Sequence, residues 1–317
     1  MRILIVKTSS LGDIIHALPV VSDLRREYPA YAIDWCVEES FAAIPRLHPA
    51  VDRIYTVAVR RWRKQLLSTA TWREMRDFRR SLRTTEYDVV LDLQGLLKSA
   101  VIARQARGPI CGYAAEAARE PLAARFYHLG LAIPKVGHAV ERNRWLAAAA
   151  LEMPMEMPLD YGIEAEPLVA DWLPLMPYVV FLTATSRDDK LWPETHWIAL
   201  GNALHAAGIA AVLPAGSAEE RARATRIAAA IPGAAAAPPL ELANIAGLLA
   251  GGLGAIGVDT GLTHLAAALG RPTVALYTAT DPGLTGVLGT GPYRNLGGKA
   301  VVPEATAAFN AFMTCRS

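Results

Sequence analysis

At 317 residues the chain is long enough for about two domains, each able to bury a core of its own. Hydrophobic residues make up 52%, yet no run of 18 apolar residues occurs; the nearest, residues 242–258, holds Asn244 and five glycines and divides into a helix and a strand better than it spans a bilayer. The formal net charge is only +2, but residues 53–83 hold ten Lys or Arg against two acids, which points to an anionic partner for the N-terminal half.

Cys36, Cys111 and Cys315 are odd in number and far apart, as unpaired thiols would be, and their spacing excludes a cysteine zinc site of known pattern. Ahead of Lys7 only residues 3–6 are apolar, too few for the core of a signal peptide, so a cytoplasmic location is expected.

Residues 1–6 read as a strand buried on both faces, because the apolar run is continuous rather than alternating. The polar loop Lys7-Thr8-Ser9-Ser10-Leu11-Gly12-Asp13 follows, then a helix over residues 14–27 with Pro19 near its start. Open α/β sheets hold their ligands at the carboxyl ends of central strands, and Gly12 leaves room there for the Asp13 carboxylate to point into a cleft. Capping of the helix is the plainer use of Asp13.

Further strands are expected at 32–37, 53–57, 87–91 and 109–112, with helices at 71–83, 96–106 and 138–150. That alternation predicts a doubly wound parallel sheet. After the third strand comes Arg60-Arg61-Trp62-Arg63-Lys64, four cations with no acid to balance them before Glu74. Such a run suits phosphate or carboxylate groups, although a solvated basic face explains most charge runs. Trp62 is placed either to pack on a sugar or acyl chain or to anchor the loop.

Pro154, Pro158, Pro167, Pro174 and Pro177 mark a change of composition, which places a linker at 156–177 between domains at 1–155 and 178–317. The strand pattern resumes at 178–182, 210–214, 254–258 and 273–277, with helices at 193–207, 218–230, 240–250 and 262–269. The expected fold class is α/β, two Rossmann-like domains whose parallel sheets face a central cleft.

Asp259-Thr260-Gly261 is a strand-to-helix corner, where unpaired N–H groups and the positive end of the helix dipole stabilise an anion. Gly261 permits close approach, and Thr260 and Thr263 offer hydroxyls; simple helix capping is the alternative. On the same side, the loop Thr183-Ala184-Thr185-Ser186-Arg187-Asp188-Asp189-Lys190 carries a lysine placed to meet a diphosphate. Two phosphate-type loops in one domain imply a nucleotide. Gly252-Leu253-Gly254-Ala255-Ile256-Gly257 has the dinucleotide spacing, but a helix precedes it and a strand follows, the reverse of that motif. Asp188 and Asp189 are adjacent, with Lys190 beside them to neutralise their charge, and no metal is expected.

In order along the chain, residues 6–16, 60–64, 92–99, 186–193, 258–264 and 280–282 resemble the motifs of the bacterial heptosyltransferases that build the lipopolysaccharide inner core. The matched stretches end near residue 285, and the tail from Pro292 carries none. The resemblance implies a GT-B glycosyltransferase that inverts the anomeric carbon, uses ADP-L-glycero-β-D-manno-heptose without a metal or other cofactor, and transfers to the Kdo sugar of Kdo-lipid A. It implies that Asp13 is the catalytic base. Thr185, Ser186 and Lys190 would meet the diphosphate, Glu220 the ribose and Leu240 the adenine, with Asp259, Thr260, Gly261 and His264 completing the donor site. Ser10, Arg60, Arg61, Arg63, Lys64, Lys98 and Arg119 would hold the acceptor. A monomer lying peripherally on the cytoplasmic face of the inner membrane, with no nucleic-acid partner, follows from the same resemblance. Heptosyltransferase II, another core glycosyltransferase, or a sugar-nucleotide epimerase of the same fold are the alternatives.

Overall fold

The computed structural model describes residues 1–316. They fall into two compact units, one ending at Ile163 and the other beginning at Glu164. The first holds β1 (Arg2–Val6), β2 (Ala32–Glu38), β3 (Arg53–Val57), β4 (Val89–Asp92), β5 (Ile110–Tyr113) and β6 (Leu129–Leu131). They form one sheet in the order β3-β2-β1-β4-β5-β6, and its ladders are parallel. Ile3 to Val6 of β1 have no exposed surface, as expected of a central strand covered by helices on both faces.

The second unit repeats the plan. It holds β7 (Tyr178–Leu182), β8 (Ala210–Leu213), β9 (Ala235–Ala236), β10 (Ala255–Val258), β11 (Thr273–Tyr277) and β12 (Tyr293–Gly297), in the order β12-β11-β10-β7-β8-β9, again parallel. In each sheet the order reverses beside the first strand, between β1 and β4 and between β7 and β10. A crevice opens at such a reversal because successive crossover helices go to opposite faces. The loops after those four strands are therefore where each unit offers a ligand site.

Three differences from the sequence reading concern chain ends and breaks. The helix expected over 14–27 is two helices, Leu11–Ile15 and Leu18–Glu27. Pro19 has no N–H to give the Ile15 carbonyl, and its ring crowds that group, so the first helix stops there. β6, β9 and β12 were not expected. The tail, which matched no motif, forms the helix Ala305–Arg316, which buries Ala308 and Phe312 in the second core and also buries Cys315. Trp192 helps lock this arrangement, since its Nε1 donates to the Pro303 carbonyl at 2.8 Å and its ring meets Trp197 edge-on at 4.9 Å. No helix among the described residues is long and apolar enough to cross a membrane.

Candidate active site

In the first unit the loop after β1 is fixed from several sides. Trp35 Nε1 donates to the Lys7 carbonyl at 3.1 Å. Gln94, just past β4, accepts from the Thr8 N–H and hydroxyl at 2.8 Å each and donates to the Ser9 carbonyl at 2.8 Å. Gln94 is held in turn by Asp92, a fully buried carboxylate that accepts from the Gln94 N–H (2.9 Å), Ser99 Oγ (2.8 Å) and Tyr127 Oη (2.8 Å). Burial raises the Asp92 pKa, and these hydrogen bonds only partly offset it.

Asp13 sits in the third position of the helix Leu11–Ile15, and Ser10 is the cap. The plainer expectation, Asp13 as the cap, is thus corrected in detail: its Oδ2 reaches back to accept from the Ser10 N–H and Ser10 Oγ, both at 2.9 Å. Its other oxygen lies 3.5 Å from Arg119 Nη1, and the side chain keeps 28% of its surface exposed. Burial pushes the Asp13 pKa up, but Lys7, the Ser10 hydrogen bonds and Arg119 outweigh it and leave the carboxyl below its ordinary value. A carboxylate that is ionised and still reachable is what a general base requires.

Lys7 is the charge beneath it. The ammonium is buried, donates to the Leu93 carbonyl at 2.6 Å and Asn143 Oδ1 at 3.2 Å, and is pushed down to about 8 by desolvation, with Asp13 and Asp92 opposing. Lys98 Nζ donates to Ser9 Oγ at 2.5 Å, and burial lowers its pKa as well. Gly95, at φ +67°, lets the loop after β5 come close: Glu120 N–H donates to the Gly95 carbonyl at 3.0 Å, and this places Arg119 beside Asp13. The structure therefore brings Ser10, Asp13, Lys98 and Arg119 together at the ends of β1, β4 and β5.

The basic run is placed differently from the reading of its sequence. It was expected to lack acids, yet Arg61 is bound by Glu39 at 3.1 Å and Glu74 at 2.9 Å. Trp62 is buried against Phe78 and donates Nε1 to Glu74 at 2.9 Å, so it anchors the loop and is not free to pack on a sugar. Arg60, over the Phe41 ring at 5.3 Å, and Arg63 and Lys64 remain exposed. Glu39 lies too far back in sequence for the run itself to have revealed it.

In the second unit Asp259 is the hub. Its Oδ2 accepts from Lys190 Nζ and Thr280 Oγ1, both at 2.7 Å, and its carbonyl accepts from Thr185 Oγ1 at 3.2 Å. Lys190 therefore does not neutralise Asp188 and Asp189 as expected; Asp189 pairs with Arg187. Thr260 stands at the N-cap position of the helix Gly261–Ala268, but its hydroxyl makes no capping hydrogen bond. Thr263 is corrected: it is fully buried and donates to the Val258 carbonyl at 2.7 Å, so its hydroxyl faces the backbone rather than a ligand. His264 is buried in the same turn.

Beside this hub opens a cavity of about 470 Å³, lined by Thr185, Ser186, Leu191, Ser217, Glu220 and Arg223 among others. Glu220 is held at its edge by the N–H groups of Gly216 and Ser217, both at 2.9 Å. Leu240 is half-buried ahead of the helix Leu242–Gly251 and is not among the lining residues. Lys7, Gln94, Thr280 and Arg223 were not singled out from sequence. Lys7, Gln94 and Thr280 lie inside the matched stretches 6–16, 92–99 and 280–282, whereas Arg223 lies in none.

Two doubly wound units in one chain, with an ionised carboxylate at the switch point of one and a threonine, lysine and helix-start cluster at that of the other, define the GT-B class of glycosyltransferase fold. The profile of glycosyltransferase family 9 (heptosyltransferase) matches residues 75–307, and the chain belongs to that family. It is 49% identical to lipopolysaccharide heptosyltransferase 1 of Pseudomonas aeruginosa over 291 residues, 91% of this chain and 82% of that one. The solved structure of E. coli heptosyltransferase WaaC with ADP superposes with a TM-score of 0.90 at 41% identity, covering all of both chains. The same enzyme with ADP-2-deoxy-2-fluoro heptose gives 0.86 at 40%, covering 99% and 98%.

Proposed function

We propose that the chain moves L-glycero-D-manno-heptose from ADP-L-glycero-β-D-manno-heptose to the Kdo sugar of Kdo-lipid A, a step of lipopolysaccharide inner-core synthesis. The names of its relatives and the nucleotides in the two similar structures support this donor and this class of acceptor. The observation that carries the chemistry is the Asp13 carboxylate, ionised, reachable and clamped by Ser10 at the carboxyl end of β1.

The acceptor hydroxyl oxygen bonds to the anomeric carbon as the bond from that carbon to the diphosphate oxygen breaks. Asp13 takes the hydroxyl proton, and ADP leaves with the bonding pair. Attack opposite the leaving group inverts the centre. Lys190, Thr185, Ser186 and the N–H groups at Thr260 and Gly261 stabilise the charge that grows on ADP, and the positive charge they supply makes a metal unnecessary. Asp259 and His264 complete the donor site, Glu220 meets the ribose and Leu240 the adenine. Ser10, Lys98, Arg119, Arg60, Arg63 and Lys64 hold the anionic acceptor; Arg61 keeps the loop in place through Glu39 and Glu74. The enzyme acts as a monomer. A lipid-borne acceptor puts the enzyme on the cytoplasmic face of the inner membrane as a peripheral protein.

The test is mass spectrometry of Kdo-lipid A incubated with the protein and ADP-heptose. Addition of one heptose is expected. Transfer only to an acceptor that already carries heptose would move the protein to a later step, and transfer to neither would overturn the reading.

A further inference from the structure

We infer that the corner formed by residues 63–67 and the helix Thr69–Leu82 docks the first unit onto an anionic phospholipid bilayer. The inference rests on the proposed transfer to a lipid-borne acceptor. It assigns to membrane contact a surface that shares only Arg63 and Lys64 with the proposed acceptor site and uses none of the donor residues.

The helix divides its faces by charge. Thr71, Met75, Phe78 and Leu82, at alternating spacings of four and three, form the inward stripe. Glu74 and Asp77 lie together on a second stripe, where Glu74 is engaged by Arg61 and Trp62 and Asp77 is 3.5 Å from Arg80. On the opposite side of the inward stripe, Trp72, Arg76, Arg79 and Arg83 share a third stripe that contains no acid, and all four are exposed.

Apolar surface continues from that stripe in both directions. Trp72 is 58% exposed and donates Nε1 to the Leu66 carbonyl at 2.8 Å, which holds the preceding loop against the helix. Leu66 is 52% exposed and Leu67 is fully so. Towards the helix Leu97–Ala103, a groove of about 310 Å³ is lined by Trp72, Met75, Arg76, Arg79, Val101 and Gln105. An indole, two projecting leucines and an open apolar groove are costly to leave in water, and among the described residues Arg76, Arg79, Arg63 and Lys64 beside them form no salt bridge with an acid. The charge complementarity selects the occupant. At an anionic interface the leucines enter the acyl boundary, the indole lies at headgroup depth, and the cations meet lipid phosphates.

The test uses the whole protein and vesicles of phosphatidylethanolamine with phosphatidylglycerol, against vesicles of phosphatidylcholine alone, read by co-sedimentation. Wild type should bind the anionic vesicles and bind the neutral ones at least about tenfold more weakly. Leu66→Ser with Leu67→Ser, and separately Arg76→Gln with Arg79→Gln, should each weaken anionic-vesicle binding by about tenfold. Both pairs should keep the wild-type unfolding midpoint and wild-type turnover on an acceptor stripped of its acyl chains. Unchanged vesicle binding in the leucine pair overturns the inference, as does wild-type protein that ignores anionic vesicles. A leucine pair that converts a wild-type dimer to monomer while leaving vesicle binding intact would make this a self-association face instead. Absence of heptose transfer to any acceptor sinks the transfer reading alone, because vesicle binding is read without turnover.

Discussion

Lys190 Nζ donates to Asp259 Oδ2 at 2.7 Å, across 69 residues of sequence, and so joins the loop after β7 to the loop after β10 at the switch point of the second sheet. Thr280, from the loop after β11, reaches the same carboxylate oxygen at the same distance. Three loops converge on one residue just ahead of the helix Gly261–Ala268, and they fix the lysine at the proposed diphosphate site. Replacement of Lys190 by Ala should weaken ADP binding by about 1.5–3 kcal/mol, the range for a hydrogen bond to a charged group. Calorimetric titration measures it. Equal affinity in the variant would place the diphosphate elsewhere, and a chelator should change neither affinity nor turnover.

The pairing of Arg61 with Glu39 and Glu74 separates it from its neighbours. Neutralising Arg60, Arg63 and Lys64 together should raise the acceptor KM and leave the donor KM near its wild-type value. Added salt should act the same way, because exposed charges are screened over about 8 Å at physiological ionic strength. ADP affinity, set in a half-buried site, should respond less. A donor KM that rises while the acceptor KM stays fixed would contradict this division.

Lys7 is the largest of the influences that lower the Asp13 pKa, after burial, which opposes them. Lys7→Met removes that charge, so the Asp13 pKa should rise and the acidic limb of the kcat/KM profile should move to higher pH. Wild type should in addition show a change near pH 8, where Lys7 itself loses its proton. An acidic limb in the same place for both proteins would mean that Lys7 does not act on Asp13.

His48 is buried, bonded to Ser22 Oγ at 3.0 Å and to the Ala50 N–H at 3.1 Å, and desolvation pushes it down to about 4. Its folded value lies below its unfolded value of 6.5, so the unfolded state takes up the proton first. This contribution is constant above pH 6.5 and is lost as pH falls towards 4, up to about 3 kcal/mol in all. Urea unfolding at pH 7 and pH 4.5 should show that loss in wild type and less of it in His48→Gln. An equal loss in both would assign the acid sensitivity to other groups.

Much of this architecture is visible in the chain because a parallel strand covered on both faces has to be a continuous apolar run. Residues 2–6, 178–182 and 273–277 announce themselves in that way. The edge strands do not: β6 carries Gly130 and is largely exposed, β9 is two alanines, and β12 reads Tyr-Arg-Asn-Leu-Gly. Each is a strand because a neighbour offers it hydrogen bonds, which local composition does not record. The same limit applies to the site. The loops holding Asp13, Lys190 and Asp259 stood out as polar breaks after apolar runs, whereas the Lys190 contact with Asp259, the Glu39 contact with Arg61 and the Gln94 brace on Thr8 are set by the strand order.

In the proposed transfer, everything turns on Asp13 removing the acceptor proton. Asn at position 13 keeps the shape and can still accept from the Ser10 N–H, but it has no basicity. The direct measurement is turnover of Asp13→Asn with ADP-heptose and Kdo-lipid A, alongside its affinity for ADP. Turnover should fall by about 10² to 10⁴ with ADP affinity close to wild type. Near-normal turnover in this variant would contradict the account and return Asp13 to a structural role in the helix start.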